Sequence, residues 1–131
     1  MSLLFSRKCE YAIRAVIHLT REQVPVSVSH IAKELKVPRA FTGKILQELH
    51  RAGLLRSFSG SKGGYCLAKP PDRMTINDII MTIDGTPFHQ QCILGMPECS
   101  SRTPCPMHSW WSGISDQISA ELNKPLSVYL P

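Results

Sequence analysis

The stretch SVSHIAKELKVPRAFTGKILQELHRAGLLRSFSGSKGGYCLA, residues 27–68, decides the fold. Ser27 or Ser29 can cap a helix that carries Ile31, Ala32 and Leu35 on one face. Lys36-Val37-Pro38 interrupts it, and Pro38 suits the first position of the next helix, where a missing N–H costs nothing. That helix runs over Arg39–Arg51, turns Ile45, Leu46 and Leu49 inward, and stops at Gly53. Phe41, one turn before Ile45, is read as packing rather than as a contact with a base. Leu54–Phe58 then reads as a short strand, Ser59–Gly64 as a glycine-rich turn and Tyr65–Ala68 as the return strand, closed by Pro70-Pro71. Helix, short turn, helix, glycine-tipped hairpin is the order of a winged helix-turn-helix.

Outward from this unit the pattern stays helical. Tyr11, Ala12, Ala15, Val16 and Leu19 recur at spacings of three and four within Arg7–Arg21. Ile76, Ile79, Ile80 and Ile83 do the same within Thr75–Asp84. Gly85–Pro104 has no periodicity, and a loop of roughly 20 residues in a small domain is normally functional or disordered. Pro106–Asn123 predicts a last helix with Trp110, Trp111, Ile114, Ile118 and Leu122 in one stripe. Such a stripe is too apolar for one side of a lone helix, so it is expected to join two copies of the chain in a two-fold homodimer. The expected architecture is mainly α with a small β-hairpin wing: a winged helix-turn-helix over 1–84, then a cysteine-rich loop and long dimerisation helix over 85–131.

Charge points to the partner. Residues 1–73 hold 13 Lys and Arg against five Asp and Glu, and residues 74–131 hold two against five. The halves thus carry +8 and −3, making up the chain's +5. A basic half suits a polyanion, because each neutralised phosphate releases condensed counterions. The second helix of the unit is sized for the major groove of double-stranded DNA, with Pro38, Arg39, Ala40, Thr42 and Lys44 in its first turns as candidate contacts. Ser59, Gly60, Ser61 and Lys62 form a wing tip able to lie against backbone or minor groove. The glycines lack nucleotide-binding spacing and lead into a strand, so no helix N-terminus stands ready for a phosphate. No nucleophile–base pair with a supporting pocket is evident, so neither an enzyme nor a small-molecule substrate is expected. No apolar run approaches the ~20 residues of a membrane span. The absence of a secretion signal and an odd cysteine count predict a cytoplasmic protein with reduced thiols.

Cys92, Cys99, Cys105 and His108 follow one another at gaps of six, five and two residues. Three thiolates and an imidazole so close in sequence form a metal-ligand constellation. Cys105, between Pro104 and Pro106, is expected to cap the last helix, with Pro106 as its first residue and His108 on the same face. The spacing is too open for the paired knuckles of a zinc ribbon and suits a larger inorganic cluster. Zinc, thiol–disulfide sensing without metal and idle thiols remain alternatives, as does a small iron–sulfur electron carrier, which leaves the basic half unexplained. Cys9 and Cys66 fall in regular elements and read as small packing residues.

Tyr11-Ala12-Ile13-Arg14-Ala15, the Gly60-x-x-Gly63-Gly64-Tyr65-x-Leu67 phrase and the segment from Cys92 through Trp111 together resemble the Rrf-type winged-helix regulators (IscR-, NsrR- and RirA-like) over nearly the whole chain. The resemblance implies a DNA-binding regulator, dimeric through its last helix, with an iron–sulfur cluster on Cys92, Cys99 and Cys105. It offers His108 as fourth ligand of a 2Fe–2S cluster, favoured here, or Glu10 as the carboxylate ligand of a 4Fe–4S one. The cluster is expected to be absent from an aerobic preparation. Ser59 stands where IscR-type wings carry arginine, and the first cysteine gap is one residue longer than in that type.

Overall fold

A computed structural model describes residues 5–85, 92–94, 102 and 104–130. Helix α1, Arg7–Thr20, begins at Ser6, whose hydroxyl accepts the Cys9 N–H at 3.0 Å. Its inner face buries Cys9, Ala12, Ile13, Ala15, Val16 and Leu19. Ser27 performs the same capping for α2, Val28–Leu35, accepting from the His30 N–H at 3.1 Å. Lys36 ends α2 in the left-handed conformation, φ 58°, and thereby turns the chain sharply toward α3. Helix α3 spans Arg39–Arg51, with Pro38 at the cap position just before it, and buries Thr42, Ile45, Leu46 and Leu49.

Strands β1, Leu55–Phe58, and β2, Gly64–Leu67, pair antiparallel with Leu55 opposite Leu67 and Phe58 opposite Gly64. The hairpin is anchored at its base by Val26, which exchanges two backbone hydrogen bonds of 2.9 Å with Tyr65. Gly64 sits at φ +151°, and a Cβ there would lie 2.2 Å from the Val26 carbonyl oxygen. Only glycine lets the wing approach the Val26 backbone this closely.

Helix α4, Ile76–Ile83, opens with a reciprocal cap in which Thr75 accepts the Asp78 N–H and Asp78 accepts the Thr75 N–H. Helix α5 spans His108–Leu122. Its start corrects one expectation: Met107, not Cys105, occupies the cap position and no side chain caps it, so Cys105 to Met107 form a turn instead. The expected apolar stripe also divides. Trp111 and Leu122 are buried and Ile114 and Ile118 pack partly against the core, whereas Trp110 is 54% exposed. Neighbouring residues on a helix point about 100° apart, so the two tryptophans cannot share a face. Ser115, 1% exposed, is buried one turn after Trp111 on the same side of the helix.

After α5 the chain folds back. Pro125 bridges to Thr75, the Leu126 N–H donates to the Met74 carbonyl at 2.7 Å, and Leu126 drops to 2% exposure at the start of a 3-10 turn, Leu126–Tyr129. Leu126 therefore joins the same apolar cluster as α1, α3, α4, Trp111 and Leu122.

Candidate nucleic-acid interface and cysteine segment

Burial of Ile45, Leu46 and Leu49 turns the opposite side of α3 to solvent. Pro38, Arg39, Ala40, Lys44, Gln47 and Arg51 are all exposed there. Thr42 is the exception among the expected contacts. It is 1% exposed and its hydroxyl donates to the Pro38 carbonyl at 3.1 Å, so it stiffens the first turn and offers a partner no surface. Phe41 packs edge-on to Tyr11, with ring centroids 5.9 Å apart and planes at 87°.

The wing tip Ser59–Lys62 is exposed throughout. A groove of about 340 Å³ separates it from α3, lined by Ser29, Arg39, Ser57, Phe58, Ser61 and Gly63 among others. Arg39 and the tip thus share one concave surface. Sequence reading missed Gln47 and Arg51, which continue the Ala40–Lys44 face at helical spacing and are joined by a hydrogen bond of 3.5 Å. It also missed Arg56, an exposed cation at the root of the wing.

Two contacts fix α1 beside α3. Lys8 pairs with Glu48 at 2.5 Å, and the Tyr11–Phe41 contact lies farther along α1. A third ties α1 to the end of α4. The Ser6 N–H donates to the Asp84 carboxylate at 3.0 Å, and the Ser6 hydroxyl donates to its other oxygen. Asp84 is the last residue before the stretch that carries the cysteines.

In that stretch Cys92 is half-buried, Cys105 is buried and His108 is half-buried. The His108 backbone N–H donates to the Cys105 carbonyl at 3.0 Å, so the two residues belong to one backbone turn. Cys99 and most of Gly85–Pro104 lie outside the described residues. Among the described residues no three His, Cys, Asp or Glu side chains gather as a metal site. Glu10 is half-buried on α1. No helix among the described residues is long and apolar enough to cross a membrane.

Comparison with known proteins agrees with this arrangement. Residues 5–125 match the Rrf2 family, described as iron-dependent transcriptional regulators. A protein of Aquifex aeolicus whose name places it among the HTH-type transcriptional regulators is 37% identical over 88% of this chain and 83% of its own. The HTH-type transcriptional regulator IscR of Aliivibrio salmonicida is 28% identical over 88% of this chain and 70% of its own. The structure of CymR, the global cysteine regulator of B. subtilis, superposes with a TM-score of 0.79 at 25% identity, covering 97% of this chain and 98% of that one. Family and relatives alike are transcriptional regulators rather than enzymes, and regulators of this family bind DNA. The chain belongs to the Rrf2 family of winged-helix transcriptional regulators.

Proposed function

We propose that this regulator binds its operator as a homodimer, through α3 and the wing, and senses iron–sulfur status, redox state or nitric oxide through the cysteine segment. The observation that supports the sensing half is the backbone turn that Cys105 and His108 share at the start of α5. The donors fit an iron–sulfur cluster by type, since such clusters are held by thiolates and, in some centres, by imidazoles as well. A cluster held by Cys92, Cys99, Cys105 and His108 would supply lability toward iron, oxidants and nitric oxide. The family's description as iron-dependent supports this reading.

The chain's own contacts give the signal a physical route. A change in the stretch after Asp84 acts on the Asp84–Ser6 hydrogen bonds, and so on the cap of α1. Through Lys8–Glu48 and Tyr11–Phe41 it reaches the helix assigned here to the major groove. Residues 1–84 then serve as the DNA-reading part and 85–131 as the sensing and dimerising part.

A second reading is a clusterless or zinc-bound regulator that senses through its thiols. It is favoured by the near full-length likeness to CymR, named for cysteine regulation. An ultraviolet–visible spectrum with iron and sulfide analysis of anaerobically purified protein separates the two. Visible charge-transfer bands with bound iron, abolished in Cys105→Ala, are expected. Colourless, iron-free protein that still binds its operator selects the thiol reading. His108→Ala against Glu10→Gln then identifies the fourth ligand, with His108 and a 2Fe–2S cluster expected.

A further inference from the structure

The geometry points to a phosphate clamp on α1, built from Arg7 and Arg14 around Tyr11, that grips the DNA backbone beside the groove occupied by α3. This rests on the proposal that α3 enters the major groove. Arg7 and Arg14 lie two helical turns apart, roughly 10 Å along the axis. Their guanidinium carbons nevertheless both approach the same ring, at 6.0 and 5.9 Å from the Tyr11 centroid. The Arg7 Nε–H also donates to the Tyr11 hydroxyl at 3.3 Å. Both arginines are exposed.

Surface cations at such spacing normally find carboxylates, and here they do not. Among the described residues neither arginine has an oxygen of Asp or Glu within ion-pair distance. Glu48 is taken by Lys8, and Glu34, which shares a shallow groove with Arg14, sides with His30 at 3.9 Å. Glu10 acts on Arg7 only at longer range. Two guanidinium groups are therefore held beside an aromatic ring while their terminal N–H groups, unlike the Arg7 Nε–H given to Tyr11, form no ion pair among the described residues. A planar fork with five N–H donors matches a phosphate, and stacking removes part of the cost of ordering it.

Position supplies the partner. Tyr11 rests edge-on against Phe41, in the first turn of α3, so the clamp flanks the end of α3 that also bears Arg39 and Lys44. A major groove about 12 Å wide is filled by one helix, and whatever adjoins that helix meets the phosphate strand at the groove's edge. The Tyr11–Phe41 contact thereby sets how far α3 enters relative to the strand that the clamp holds.

The test is a salt series of binding to a random-sequence duplex and to the operator, with the full chain. Arg7→Ala and Arg14→Ala should each shrink the slope of log affinity against log salt by about 0.9 per protomer, about 1.8 for a bound homodimer, equally for both duplexes. Arg7→Lys and Arg14→Lys should restore it. Tyr11→Ala should weaken binding several-fold with little change of slope, because the charges remain but are no longer held. Wild-type melting temperatures would confirm that the arginine variants are folded. Unchanged slopes in both alanine variants, with a smaller slope in Lys44→Ala, would overturn the clamp and leave α3 on the DNA. Unchanged slopes in all three would overturn the clamp and the proposed interface together.

Discussion

Cys9 is fully buried on α1, against the end of α4. Burial, aided by the Asp84 carboxylate, pushes its thiol from the ordinary 9.0 up to about 12. The thiol is therefore protonated near neutrality and chemically quiet. In native protein at pH 8, alkylation followed by mass spectrometry should label the half-buried Cys66 and spare Cys9; rapid labelling of Cys9 would show that α1 opens readily. The raised value also sets a stability limit. This contribution is complete below pH 9.0 and is lost as pH rises from there toward about 12, by ~1.4 kcal/mol per pH unit. Base titration followed by circular dichroism should place unfolding in that window, and Cys9→Ala should remove this component. Thr42 shows at the same scale where sequence reading slipped. Polarity suggested an outward side chain, yet Thr42 stands three and seven residues before Ile45 and Leu49, on their inward face.

At the level of elements, periodicity located the helices and the wing because each buries one face against a common core. The ends moved by one or two residues, since they depend on caps rather than on pattern: Ser6, Ser27 and the Thr75–Asp78 pair set three of them. The start of α5 was missed because a Cys-Pro pair resembles a cap and first turn, while this chain spends those residues on a turn. The solvent-facing side of α3 was legible in its first turns, at Arg39, Ala40 and Lys44. The contacts that hold α1 to α3 and α4 were not, because Ser6–Asp84 and Lys8–Glu48 join positions distant in sequence. The wing's docking makes a sharp prediction. Gly64→Ala must relieve both a positive φ and an impossible approach to Val26, so it should cost at least about 1–3 kcal/mol in urea denaturation. It should also displace Lys62 and lower DNA affinity in the same variant. A stable Gly64→Ala protein with intact DNA binding would mean that the Val26 anchor is dispensable.

For the molecule as a whole, Trp110 is the cleanest probe of assembly. Ile118 packs on its own core, so changing it confuses folding with association, whereas Trp110 is 54% exposed on α5 near exposed Met107. Trp110→Glu should leave the melting temperature of the fold unchanged and produce monomers in sedimentation; a persistent dimer would move the interface off this face. A different consequence follows from the return of Leu126 to Met74. Because Trp111, Leu122 and Leu126 lie in the same cluster as α1, α3 and α4, the backbone between Gly85 and Cys92 is not what keeps the two parts together. A chain severed there should behave as a fragment-complementation pair. The two peptides should elute as one species under native conditions, part only in denaturant, and reassemble when it is removed.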